Sequence, residues 1–203
     1  MRKVIGLLIF LSALIVTNLS ADEMFQAVDP KDATLVKTDS SKEFCNVCGM
    51  HLTKFYKTSH ATEFKNGHKE QYCSLHCQAQ IEEDHADKIK NIQVVDTNSL
   101  KFIDAKSAIY VVGSSKPGTM TPISKYAFST KEEAQKFQKE FGGEIHTFDE
   151  SLNMAKKALN KENSAIDEKR VPMAIKGKKA FETMCDTNQI KDFNSIGEAK
   201  QYL

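Results

Sequence analysis

The sequence has no tryptophan, no excess of either charge and no apolar run of comfortable bilayer length. Lys and Arg number 28 against 27 Asp and Glu, a formal net charge of +1. That balance leaves no global field to gather nucleic acid or an anionic membrane. With 40% hydrophobic residues and twelve phenylalanines in 203 residues, the chain can bury a core and is not of the disordered class.

The longest uncharged apolar run, Val4 to Val16, falls short of the ~20 residues a spanning helix needs. Arg2 and Lys3 precede it and small and polar residues follow. This is the pattern of a signal peptide over 1–21, cleaved after Ser20 or Ala21, or kept as an N-terminal anchor. No cysteine follows the run, so lipid attachment is not expected. The expected location is a bacterial periplasm, with membrane contact only if the segment is uncleaved.

Past a polar lead-in expected to be flexible (22–43), turn and cap signals recur. Asn66-Gly67 lies between two short strand-like runs, the pattern of a hairpin with a type I′ turn. Ser74 is placed to cap a helix, and a β-rich run follows it. The order repeats: strands over Ser107–Gly113 and Pro122–Ser129, then Thr130 and Glu133 as a capping box, a helix stopped by Gly142-Gly143, and a closing strand. Aligning Cys73-Ser74 with Phe128-Ser129 puts the helix starts in register. The expected fold is α+β: two packed ββαβ units from an internal duplication, 44–106 and 107–149, with a charged helical C-terminal appendage over 150–203.

The five cysteines are unevenly spread. Cys45 and Cys48 share "CNVCGM", Cys73 and Cys77 share "YCSLHC", and Cys185 stands alone. Gly49 permits a turn that gathers the first two sulfurs. Cys73 and Cys77 flank a helix start, where the dipole and unpaired N–H groups favour thiolate. The spacing fits a metal site fed by two corners. In an oxidising compartment it also fits two disulfides or thiol–disulfide exchange. Zinc is satisfied by four thiolates. Met50, two residues from Cys48, and Met120, in the loop "GSSKPGTMTPIS", add thioethers, and thioether with thiolate selects Cu(I). His51 and His76 are further candidate ligands.

"CNVCGMHL" and the run from Lys101 through Met120 to the double glycine resemble the NosL family, copper chaperones in the maturation of nitrous oxide reductase. The resemblance covers roughly Phe44 to Phe148. It implies a non-enzymatic periplasmic carrier of Cu(I) with two ββαβ units, liganding by Cys48, Met50 and Met120, and nitrous oxide reductase or its maturation machinery as partner. Cys45, Cys73 and Cys77 go beyond that ligand set; with them the pattern is similar to the TRASH/YHS type, whose ligands are cysteines. A zinc or general heavy-metal module is the alternative. "KGKKAFETMCD" resembles the start of a class I cytochrome c, but Cys185 has no second cysteine or histidine after it, so haem attachment is not expected.

Overall fold

The computed structural model describes residues 24–186, 192–193 and 196–202. The expected signal segment lies outside them. The described chain is mixed α and β. Its first sheet contains β1 (His60–Phe64), β2 (Lys69–Tyr72), β3 (Ile89–Val95) and β4 (Phe102–Asp104), in the order β2-β1-β3-β4. The second contains β5 (Ile109–Val112), β6 (Lys125–Phe128) and β7 (Glu144–Thr147), in the order β6-β5-β7. All pairings within the sheets are antiparallel. Helix α1 (Leu75–His85) follows β2, and α2 (Lys131–Phe141) follows β6.

Local chemistry explains these boundaries. The β1–β2 turn lies at Asn66-Gly67, but only Gly67 has positive φ (+83°). The Gly67 N–H bonds to the Phe64 carbonyl and the Phe64 N–H to the His68 carbonyl. This is a three-residue loop closed by a left-handed glycine, not the expected type I′ turn. Ser74 caps α1 through the Cys77 N–H. Thr130, not Ser129, caps α2 through the Glu133 N–H, so the two helix starts differ by one residue from the expected alignment. Ser129 instead bonds through its N–H and hydroxyl to the buried Asp96 carboxylate.

The sheets are joined where Asp96 bridges in parallel to Ala127. Across the same junction, buried His60 and Tyr110 lie 3.0 Å apart from Nε2 to hydroxyl.

Two segments differ from expectation. The lead-in is tied down: Phe25 packs edge-on to Tyr126, buried Gln26 donates to the Pro117 and Gly118 carbonyls, and Val36 donates to the Gln71 side chain. The tail begins as part of the core. Helix α3 runs unbroken from Phe148 to Met184, opened by a full capping box between Thr147 and Glu150. Phe148, Leu152, Ala155 and Leu159 are buried with residues of α1, β3 and β5. From Val171 to Met184 the residues of α3 are exposed except Phe181, which is half-buried. The short α4 (Ile196–Tyr202) packs back against the Gly49 turn. Among the described residues no helix is long and apolar enough to cross a membrane.

Candidate metal centre

The turn "CNVCGM" is pinched at its base by a bridge between Phe44 and His51. Within it the Cys45 N–H bonds to the Met50 carbonyl and the Gly49 N–H to the Cys45 carbonyl, each at 2.9 Å. Gly49 has φ +70°, a conformation that is cheap only for glycine. The second corner is the end of β2 and the first turn of α1, which carry Cys73 and Cys77. The Thr58 hydroxyl donates to the Cys73 carbonyl at 2.7 Å and sits 2.8 Å from that of Thr119. This contact ties the Met120 loop of the second sheet to the first.

The two corners converge. The four sulfurs of Cys45, Cys48, Cys73 and Cys77 all lie within 4.8 Å of one another. Cys48 Sγ is 3.4 Å from Cys73 Sγ, which is 3.8 Å from Cys77 Sγ. All four are buried free thiols, which leaves the disulfide alternative unformed, and Cys185 is exposed. Met50 and Met120 both pack, half-buried, against this cluster, together with Leu35, Val47, Phe55 and Ile81.

The thiols are not equivalent. Burial opposes ionisation of Cys45, but bonds from Cys48, Cys73 and Cys77 onto its sulfur outweigh that and hold its pKa well below the ordinary thiol value. The same bonds to Cys45 and Cys48, with burial added, push Cys73 well above it, and Cys77 moves up for the same reasons. Binding a soft cation through thiolates would release the thiol protons.

A cleft opens on the cluster at Cys48. Cys48 and Met120 line a cleft of about 290 Å³ with Val47, His76, Ile166 and Arg170. The two histidines proposed as ligands are engaged elsewhere. His76 places Nδ1 2.8 Å from Glu162 Oε2 and Nε2 3.1 Å from Asn163 Oδ1, fastening α1 to α3. His51 places Nδ1 2.9 Å from the Thr53 hydroxyl and faces Glu43 through Nε2.

Met120 also has φ +68°, strained for a residue with a Cβ. No sequence signal announces that backbone state. The Lys37 ammonium was likewise missed. It is buried behind the first corner and bonded to the Ser41 and Phe44 carbonyls at 2.7 Å each; burial lowers its pKa.

The chain was compared with known proteins. It is 26% identical over 117 residues to the HTH-type transcriptional repressor CutR of Bacillus subtilis, covering 58% of this chain and 60% of that one. The chain thus spans about 60% of that relative's length. The crystal structure of the copper chaperone NosL from Shewanella denitrificans is similar with a TM-score of 0.48 and 26% identity, over 60% of this chain and 96% of that one. The NosL family model matches residues 36–154. The matched span is more than half of the chain and takes in both corners of the cluster and the Met120 loop, so the chain belongs to the NosL family.

Proposed function

We propose that this protein is a non-catalytic carrier of Cu(I). Copper is its cargo, bound by the cluster thiols Cys45, Cys48, Cys73 and Cys77 with the thioethers Met50 and Met120. The protein works in a periplasm and delivers copper to nitrous oxide reductase or its maturation machinery. Its two sheets derive from one duplicated ββαβ unit, as the matching orders β2-β1-β3 and β6-β5-β7 suggest.

The observation that carries the copper reading is four buried free thiols with two methionines packed on them. The donors gathered in the cluster are sulfurs, and thiolate with thioether favours Cu(I) over harder ions. Family membership points the same way. Transfer proceeds by ligand exchange through the cleft. Met120, a weak neutral ligand at the opening, leaves first; an acceptor's ligand takes its place, and Cys48 releases last. Because Cys73 and Cys77 favour their protonated forms, they take protons back as the metal departs. Nothing in this sequence of steps makes or breaks a covalent bond in a substrate.

A zinc-holding module is the second reading. Tetrahedral zinc with Zn–S near 2.3 Å sets its sulfurs about 3.8 Å apart, and two sulfur pairs here stand at 3.4 and 3.8 Å. Anaerobic titration of the reduced protein separates the two. The expected result is one Cu(I) per chain, retained against a Cu(I) chelator and preferred over Zn(II). Zinc held as tightly or more tightly in that competition would overturn the copper reading.

A further inference from the structure

Residues 34–37, polar lead-in by sequence, are built into the wall of the metal centre. The Thr34 N–H donates to the Tyr56 hydroxyl at 2.9 Å and the Val36 N–H to the Gln71 side chain at 3.0 Å. Between them Leu35 packs on the sulfur cluster. Lys37 follows and, at 5% exposure, is the most buried lysine among the described residues.

Its ammonium has no ion pair among the described residues. It donates to the Ser41 carbonyl at 2.7 Å, the Ser41 hydroxyl at 3.1 Å and the Phe44 carbonyl at 2.7 Å. That last carbonyl belongs to the peptide leading into Cys45. Burial opposes the Lys37 charge, while Asp39, Cys45 and Glu70 favour it from farther off. Asp39 is exposed, and its carboxylate accepts from the Ser41 N–H and hydroxyl. Glu70 is half-buried and accepts from the Tyr72 hydroxyl. Of the three, only Cys45, at 1% exposure, is buried as Lys37 is.

A soft cation held by several thiolates forms an anion, because each thiolate brings a full negative charge and the metal cancels only part of the sum. Leu35, Val47, Phe55 and Ile81 stand around this cluster. Apolar walls disfavour a net charge unless an opposite one stands near. We infer that Lys37 is the resident counter-cation of the loaded metal centre, a positioning residue that holds the Cys45 corner through Phe44 and offsets the charge of the metal–thiolate group. Neutral oxygens fix the ammonium in place without cancelling it, as a carboxylate partner would. This role rests on the cluster being a thiolate metal site, as proposed above, and applies to copper and zinc alike.

Two variants of the full chain test it. Lys37→Met keeps the stem and removes the charge; Lys37→Arg keeps the charge with a different set of donors. In chelator competition Lys37→Met should bind Cu(I) about tenfold more weakly, and Lys37→Arg should stay close to the unsubstituted chain. In the metal-free protein iodoacetamide should alkylate Cys45 more slowly in Lys37→Met, because less thiolate is present. A brace without an electrostatic role predicts the opposite, since a loosened corner would expose Cys45 and speed the reaction. Circular dichroism of both metal-free variants should match the unsubstituted chain; if Lys37→Met unfolds, Lys37→Gln carries the same comparison. Faster alkylation in the uncharged variant, or unchanged affinity for both Cu(I) and Zn(II), would overturn the role of Lys37. A chain that prefers Zn(II) but loses zinc affinity in Lys37→Met would overturn the copper reading alone and support the counter-cation.

Discussion

Met120 combines a thioether at the cleft with a backbone state that disfavours it. Positive φ costs a residue with a Cβ on the order of 1 kcal/mol. Glycine would remove the strain, so a methionine here is explained by its side chain. The expectation is that Met120→Leu keeps fold and bulk but weakens Cu(I) by about tenfold and leaves Zn(II) unchanged. Chelator competition on both metals measures this; an unchanged Cu(I) constant would remove Met120 from the ligand set. His60 supports a different prediction. It is fully buried, and burial lowers its pKa from 6.5 to about 3. Its Nδ1 lies 3.1 Å from the Thr58 carbonyl and its Nε2 3.0 Å from the Tyr110 hydroxyl, so Nδ1 carries the proton and Nε2 accepts. Below pH 6.5 the unfolded chain takes up a proton that the folded one refuses, so stability falls as pH falls until about pH 3. Between pH 7 and pH 5 this group alone removes about 2 kcal/mol. Urea midpoints across that range should show the loss, and the slope should flatten in His60→Gln.

At the scale of elements, what the sequence made legible was local. Ser74 and Thr130 cap the helices after them, Gly142 ends α2, and the Asn66-Gly67 hairpin forms, because each depends on one or two neighbouring residues. The conformation of that hairpin escaped notice because Asn66 keeps negative φ and Gly67 alone supplies the left-handed step. The continuity of α3 escaped for a similar reason. Pro172 normally ends or kinks a helix, and charges on both sides of it hide that Phe148, Leu152, Ala155 and Leu159 form one buried stripe. The convergence of Cys45 and Cys48 with Cys73 and Cys77 was legible from spacing. The capture of His76 by Glu162 and Asn163 was not, since those partners lie more than eighty residues away and no motif marks them. The helix thus has a structural half and an exposed half, and stability measurements should separate them. Leu159→Ala, at a site 3% exposed, should destabilise the fold by about 2–4 kcal/mol. Met173→Ala, on the exposed half, should stay within about 0.5 kcal/mol in the same urea titration. Equal losses would mean that the outer half is packed after all.

For the whole molecule, the question is what the chain beyond the cleft does for the metal centre. All six candidate ligands, and the core stripe of α3 that ends at Leu159, precede Arg170. The parts that follow are the basic outer helix and α4, and α4 rests on the first cysteine corner. The Lys200 ammonium donates to the Gly49 carbonyl at 2.6 Å and lies 5.6 Å above the Phe44 ring. Ile196 packs where a Cβ on Gly49 would stand. Removing everything after Arg170 should therefore keep the fold and one metal ion per chain. It should speed alkylation of Cys45 and Cys48 in the metal-free protein, because the corner has lost its cover. Lys200→Met should reproduce the faster alkylation, which assigns the cover to α4 and not to the outer half of α3. Mass spectrometry of iodoacetamide adducts over time reads the effect in both variants. If the shortened chain failed to retain copper, the segment beyond Arg170 would belong to the metal centre itself, with Met184 and Cys185 as the residues to substitute next.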